Sequence, residues 1–214
     1  MNGFSVRRGA RGMGLALAAL LTLGAQFPMA QAIEKPQYTV VQRYGGFEVR
    51  EYAPYLVAEV TVTGPQEQAG NRGFRILAAY IFGRNRGERR IAMTAPVTQQ
   101  SAAVKIAMTA PVTESAVEGG YLVRFMMPRK FTRETLPQPL DERIRFKEVE
   151  GGRFAVIRYS GTWSARNYRA HLMRLENAVK GAGLTMTGPP IYARYNPPFV
   201  PWFLRRNEIW LRLK

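Results

Sequence analysis

The amino-acid sequence predicts an α+β fold made of two duplicated halves, each with the order strand-strand-helix-strand-strand. Stretches of alternating apolar and polar residues indicate strands, and two amphipathic stretches indicate helices. A glycine precedes each helix, and placing Gly64 over Gly161 brings the halves into phase. Because runs of strands are interrupted by only two segregated helices, we expect the strands to be antiparallel.

The first half opens with three predicted strands that alternate apolar and polar residues: 38–44, 47–52 and 55–63. Gly45 and Gly46 separate the first two strands and predict a hairpin. Gly64 ends the third strand. Pro65 after it suits the first turn of a helix, where its missing N–H would have no partner.

The first helix is predicted over residues 66–82. Its apolar stripe consists of Phe74, Leu77, Ala78 and Ile81. Gly83 can end the helix. Gly70 and Gly73 each weaken it by about 1 kcal/mol. Tertiary packing must therefore hold this helix, or another part of the molecule must approach its backbone closely.

The second half repeats the pattern. Its predicted strands are 143–149, 153–160, 191–196 and 208–213, and a further strand at 121–127 precedes them. A helix is predicted over residues 165–180, with Ser164 as its cap. Its apolar stripe consists of Tyr168, Leu172, Leu175 and Val179. Arg205 and Arg206 are expected to form an ion-paired turn with Glu208 that leads to the last strand.

The phrase IAMTAPVT occurs twice, at residues 91–98 and 106–113. As a strand, each copy would place Ile, Met, Ala and Val on one face. Its proline cannot donate to a ladder, so each copy should be an edge strand or end at a bend. Neighbouring copies would bring Met93 close to Met108, and methionine adapts to irregular apolar shapes. Two readings stay open: two walls of an apolar pocket, or two core strands.

Residues 1–32 are typical of an export signal. Arg7, Arg8 and Arg11 precede an apolar run too short to span a bilayer, and a small-x-small cleavage site ends at Ala32. We therefore expect one mature domain, residues 33–214, that is periplasmic or secreted. The arginine pair leaves Sec and twin-arginine export both open.

Composition narrows the function classes. The chain has no cysteine, which excludes disulfides, thiolate metal sites and covalent heme attachment. It carries 31 Lys and Arg against 15 Asp and Glu. An exported chain rarely meets nucleic acid, so an anionic small molecule, a lipid headgroup or an acidic partner is expected instead. No Ser-His-Asp set or phosphate-binding loop is recognisable.

Three motifs resemble the SOUL heme-binding family, in its exported bacterial branch: KIAMTAPVT, MPRKFTRETLPQP and YARYNPPFVPWFLRRNEIWL. The resemblance extends from about Tyr38 to the C-terminus. It implies two pseudo-symmetric halves whose strands form a distorted barrel or paired sheets with the helices outside. The fold is also similar to the effector-binding domain of drug-sensing transcription regulators.

The resemblance further implies non-covalent binding of heme or another tetrapyrrole in an apolar cleft bordering the first helix. On this chain that cleft involves Phe74 and Ala78, with Asn71 at its edge. Some animal relatives carry a basic residue and a methionine on this helix, where this chain has Asn71 and Phe74. Met93 and Met108 are the candidate walls.

Heme propionates require cations, and four arginines follow the first helix: Arg84, Arg86, Arg89 and Arg90. Arginine pairs carboxylates bidentately, so this cluster is a candidate propionate clamp; a solvated basic loop is the alternative. Weak candidates for an iron ligand are His171, Met93 and Met108. Tyr80 and Tyr192 are further candidates, as phenolates.

The sequence therefore predicts a carrier or sequestering protein for heme rather than an enzyme. One alternative is a hydrolase acting on an apolar molecule in the same cleft, with Glu59, Glu114 or Glu148 as base. Another is an envelope protein that contacts anionic membrane surfaces through its basic charge.

Overall fold

The computed structural model of the protein describes residues 33–87, 104–197 and 199–214. Two helices, α1 Gln66–Ile81 and α2 Ala165–Gly181, pack on the strands. The strands of the first half and the connection are β1 Tyr38–Arg43, β2 Glu48–Tyr52, β3 Tyr55–Val62, β4 Asn85–Arg86, β5 Val112–Val117, β6 Gly120–Met126 and β7 Gln138–Pro139. Those of the second half are β8 Arg145–Val149, β9 Gly152–Tyr159, β10 Met186–Arg194 and β11 Asn207–Leu213.

Nine strands form a single antiparallel sheet in the order β1-β2-β9-β11-β10-β5-β6-β3-β8. Strands β4 and β7 form a separate two-stranded ladder. The large sheet is strongly curled into a half-barrel. The predicted α+β architecture with a distorted antiparallel barrel is thus confirmed.

The strand order shows the duplication directly. Exchanging β2 with β8, β3 with β9, β5 with β10 and β6 with β11 gives the same order of these eight strands read from the opposite edge of the sheet, as a two-fold axis would. The two halves are also interleaved, because β2 pairs with β9 of the second half and β8 pairs with β3 of the first. Strands β5 and β10 meet at the seam between the halves.

Each helix begins after a glycine in the left-handed region. Gly64 has a φ of 92° and Gly161 a φ of 119°, conformations that side chains disfavour. Ser164 caps α2 by accepting a hydrogen bond from the Asn167 N–H. This confirms the predicted cap and explains why the two halves align on these glycines.

The glycines inside α1 allow close packing, as the sequence suggested. A Cβ on Gly73 would lie 2.5 Å from the Val123 side chain of β6. A Cβ on Gly70 would lie 2.5 Å from both the Arg194 guanidinium and the Glu114 carboxylate. The helix therefore gives up intrinsic stability so that the sheet can approach its backbone.

A buried carboxylate joins strands of both halves. Glu208 is fully buried, and its Oε2 accepts hydrogen bonds from Arg50 (3.1 Å), Tyr195 (2.8 Å) and Trp210 (2.8 Å). Its Oε1 accepts from Arg206 at 2.6 Å. The expected Arg206–Glu208 ion pair is present, but it is part of a core network that ties β2 to β11.

The second copy of the repeated phrase is not the strand that the sequence predicted. Only its last two residues, Val112 and Thr113, belong to β5, and a cis Ala110–Pro111 peptide precedes them. The backbone N–H of Ile106 donates to Ile81 and that of Ala110 donates to Glu34. The backbone of Ile106 and Ala110 is thus hydrogen-bonded to the end of α1 and to the N-terminal segment, and not to a neighbouring strand. The first copy lies outside the described residues.

Candidate functional site: an apolar groove beside α1

An open groove with a volume of about 410 Å³ lies beside α1 in residues 33–214. Its walls are mostly apolar. The lining residues are Ile33, Gly70, Asn71, Phe74, Arg75, Met108, Thr109, Ala110, Val112, Trp163, Arg194, Tyr195, Asn196 and Pro197. Its size falls in the range typical of small-molecule sites.

The groove is located at the seam between the two halves. One face of α1 supplies Asn71, Phe74 and Arg75, which are spaced for a common face of a helix. Val112 of β5 lies directly opposite Arg194 of β10 in the ladder. The wall opposite α1 therefore comes from the repeated phrase and from the end of β10.

Arg194 is the polar centre of the groove. Its side chain is only 7% exposed. Its Nε donates to the Tyr168 hydroxyl at 2.8 Å, its Nη2 to Glu114 Oε2 at 3.2 Å and its Nη1 to Asn71 Oδ1 at 3.5 Å. The guanidinium also lies 4.8 Å from the centre of the Trp163 ring. A fixed cation is thus held in a mostly apolar wall.

Glu114 lies behind this cation. It is 1% exposed, and burial raises its pKa, an effect that Arg194 opposes. Within the described residues its Oε1 has no hydrogen-bond partner. Burial likewise raises the pKa of Tyr168 to about 12, so its hydroxyl keeps its proton at neutral pH. Glu114 and Tyr168 thus hold the Arg194 side chain in place where it lines the groove.

The predicted ligand-binding residues are not all brought together. Asn71, Phe74 and Met108 line the groove. Ala78 packs in the core between α1 and the sheet and is 8% exposed, so it does not line it. Met93, Arg89 and Arg90 lie outside the described residues.

The two described arginines of the predicted propionate clamp lie elsewhere. Arg84 lines a second depression, beside Asp141 and Arg143. Arg86 is exposed in β4, where it pairs with Gln138. Neither lines the groove next to α1, because the chain turns away after Gly83 to form the β4–β7 ladder.

The candidate iron ligands are also separated. His171 stacks on Tyr159 with 4.1 Å between ring centres, and its Nδ1 is 2.9 Å from the Asn167 carbonyl. Tyr80 is buried, and its hydroxyl donates to the Pro137 carbonyl. Met108, which is 37% exposed, lines the groove.

The carboxylates considered as catalytic bases have different surroundings. Glu59 pairs with Arg124 at 2.7 Å on the sheet, and Glu148 lines a separate depression. Glu114 is adjacent to the groove through Arg194. Within the described ranges, no cluster of three or more His, Asp or Glu side chains forms a metal site.

Several lining residues were missed in the sequence. Arg75 lies four positions after Asn71 on the same helix face, and that spacing could have revealed it. Arg194 lies in the YARYNPP motif that carried the family resemblance. Trp163 and Ile33 gave no sequence signal, because only the tertiary fold brings them to the groove.

Among the described residues, no helix is long and apolar enough to cross a bilayer.

The chain thus combines a curled α+β half-barrel with an open groove at its seam whose size and apolar lining are typical of small-molecule sites. The family model for "SOUL heme-binding protein" matches residues 33–212. The chain belongs to this family.

Two curated relatives are named as heme-binding proteins. Mouse heme-binding protein 1 is 29% identical over 162 residues, which are 75% of this chain and 80% of the relative. Human heme-binding protein 2 is 28% identical over 193 residues, 87% of this chain and 89% of the relative. The names of these relatives describe binding proteins, not enzymes.

Among solved structures, the C-terminal domain of EcmrR superimposes with a TM-score of 0.53 at 13% identity. The match covers 83% of this chain and 98% of that domain. At this identity the likeness concerns the fold alone.

Proposed function

We propose that this protein binds heme or a related anionic tetrapyrrole non-covalently in the groove beside α1, and that it carries or sequesters the ligand outside the cytoplasm. The observation that carries the proposal is an apolar groove with a buried arginine in its wall, in a chain of the SOUL heme-binding family.

The walls suit a flat apolar ring. Phe74 of α1 faces the groove from one side, and Met108 and Val112 of the repeated phrase line it from another. Aromatic and thioether side chains pack well against a π-system. Burying the ring face against these side chains would supply most of the affinity, because apolar burial contributes about 25 cal/mol per Å².

The cations suit the ligand's carboxylates. Arg194 is fixed by Tyr168 and Glu114, so it needs little reordering to accept a carboxylate. Arg75 is exposed at the same groove and adds a second, adaptable cation. Two arginines can pair two propionates, so Arg194 and Arg75 would take the role predicted for Arg84 and Arg86, while Arg89 and Arg90 lie outside the described residues.

Iron coordination is not needed for this function. Tyr195 also lines the groove, but its hydroxyl donates to Glu208 at 2.8 Å. Among the described residues, Met108 is the methionine that lines the groove. A carrier needs no reaction at the heme, which would only give the protein a visible absorption band. Ring contact and carboxylate pairing would therefore hold the ligand.

A hemin titration followed by the Soret band tests the proposal. Binding at micromolar hemin is expected for the native protein. Phe74→Glu places a charge against the ring and should abolish the Soret shift. Phe82→Glu is the matched control, because Phe82 follows the same helix, is 59% exposed and does not line the groove.

Two results would contradict the proposal. One is the absence of any spectral change when native protein meets hemin. The other is equal loss of binding in the Phe74→Glu and Phe82→Glu variants, which would place the ligand elsewhere. Arg194→Gln should weaken hemin more than a porphyrin lacking carboxylates, and equal weakening would remove the proposed role of this arginine.

The proposal includes export, supported by the sequence of residues 1–32. Cleavage after Ala32 would make Ile33 the new N-terminus, and Ile33 lines the groove. The protein recovered from the periplasmic fraction should begin at Ile33. Recovery of an uncleaved chain from the cytoplasm would refute this location.

A further inference from the structure

An exposed apolar turn adjoins the groove. Residue 197 and residues 199–204 lie in the connection between β10 and β11, and we call them the apolar turn. Four of its large side chains are strongly exposed: Phe199 (84%), Leu204 (66%), Phe203 (58%) and Trp202 (57%). A soluble chain rarely concentrates such side chains at one place unless they meet a partner.

The turn is held in shape by hydrogen bonds. The Val200 N–H donates to Pro197 and the Leu204 N–H donates to Pro201. The Gly161 N–H donates to the Trp202 carbonyl at 3.0 Å, which fastens the turn to the start of α2. The exposed side chains are thus presented by an ordered backbone.

The turn is continuous with the rim of the groove. Pro197, its first residue, lines the groove together with Asn196. Arg205, just after the turn, lies 4.3 Å from the Trp163 ring centre, and its Nε donates to the Val200 carbonyl. Trp163 is itself a lining residue, so a surface that receives the turn would also face the groove mouth.

The positive charge of the protein indicates which kind of surface would receive the apolar turn. Residues 33–214 contain 28 Lys and Arg against 15 Asp and Glu. Arg75 is exposed at the groove that Pro197 also lines, and Lys35 lies 6.0 Å from the Tyr195 ring centre. Arg166 is exposed in the first turn of α2, which follows the Gly161 that bonds to the apolar turn. Acidic neighbours in the described residues are Glu67, which accepts a hydrogen bond from the Ala165 N–H, and Glu34, which precedes Lys35.

We propose that the apolar turn inserts into the interface of an anionic lipid bilayer and holds the groove mouth at the membrane surface. Tryptophan and phenylalanine favour the headgroup boundary, and basic side chains around them are attracted to anionic lipid. A second copy of this chain would carry the same positive charge and is disfavoured as the partner. The docking goes beyond ligand carriage, since it does not depend on which ligand the groove holds.

Vesicle sedimentation tests the docking with the full protein and no ligand. The vesicles are phosphatidylcholine, either alone or with one quarter phosphatidylglycerol. Native protein should pellet with the anionic vesicles, much less with the neutral ones, and less again in high salt. Phe199→Ser should lower the partition coefficient by about tenfold, because burying one Phe is equivalent to at least that factor.

Met173→Ser is the matched control, because Met173 is 61% exposed on α2 and lies away from the apolar turn. It should pellet like the native protein. A blue shift of the Trp fluorescence on adding anionic vesicles, lost in Trp202→Phe, would add direct evidence of insertion.

Three outcomes would overturn the docking proposal. In one, Phe199→Ser and Met173→Ser pellet alike. In another, neutral and anionic vesicles bind equally. In the third, native protein forms a dimer that Phe199→Ser dissociates and pellets with no vesicle, so that a second copy covers the turn. Hemin titration of Phe199→Ser in solution should be unchanged, which separates this test from that of heme binding.

Discussion

Removing the charge of Glu208 should cost more stability than removing any exposed carboxylate of the sheet. In Glu208→Gln the shape is kept, but the Arg50 guanidinium loses a buried carboxylate, and its side chain is only 5% exposed. Breaking a buried ion pair by removing one partner costs about 3–5 kcal/mol. Glu48, 2.8 Å from Arg50 Nε, compensates only in part, and we expect about 3 kcal/mol or more.

Urea denaturation followed by far-UV circular dichroism measures this loss. At about 2–4 °C per kcal/mol for a domain of this size, the same change lowers the melting temperature by about 6–20 °C. The matched control is Glu51→Gln. Glu51 joins β2 to β9 through Arg153, but the two side chains are 45% and 61% exposed. Such a pair contributes about 0–1 kcal/mol.

The reasoning fails if the free energy of unfolding of Glu208→Gln lies within about 1 kcal/mol of the native value, or if it equals that of Glu51→Gln. Either result would mean that the buried network is no more stabilising than a surface pair. A change in the urea m-value would instead indicate an altered native or denatured state. The stabilities of the two variants would then be compared through their melting temperatures.

Two further changes test the packing of α1 and the seam. Gly73→Ala should destabilise the protein by about 1–3 kcal/mol in urea denaturation, because its Cβ would meet the Val123 side chain. Adding Val123→Ala to Gly73→Ala should recover part of the lost stability, whereas Gly46→Ala, with open space around it, should be tolerated. Equal destabilisation by Gly73→Ala and Gly46→Ala would contradict the close contact between α1 and Val123. Burial raises the folded-state pKa of Glu114, so the folded protein binds this proton more tightly than the unfolded chain does. Native protein should therefore gain stability relative to Glu114→Gln as the pH falls from neutral towards 4.5, and parallel pH curves would refute the shift.

Most of the fold was predictable from local pattern. The strand predicted at 55–63 is Tyr55–Val62, and the helix predicted at 165–180 is Ala165–Gly181. Alternation, amphipathic stripes and helix-initiating glycines are properties of neighbouring residues, so one sequence reveals them. The pattern of apolar and polar residues did not predict most of β5, because Thr113, Glu114 and Ser115 are polar yet buried.

The candidate site was less predictable, because it depends on distant pairs. Arg194 is held by Glu114, 80 positions away, and by Asn71, 123 positions away. No local pattern marks an arginine as fixed by such partners. The basic cluster after α1 was conspicuous in the sequence, yet Arg84 and Arg86 lie off the groove because the chain direction after Gly83 follows from long-range pairing with β7.

The crossed pairing of β2 with β9 and of β8 with β3 indicates how the two halves could have arisen in evolution. Two separate chains, each equivalent to one half, would produce the same eight-strand order if each lent its first strand to the other across a two-fold axis. The protein has the topology of such a strand-exchanged homodimer fused into one polypeptide. Fusion frees the two copies to diverge, so the ancestral symmetric cleft can become a one-sided site with its own mouth.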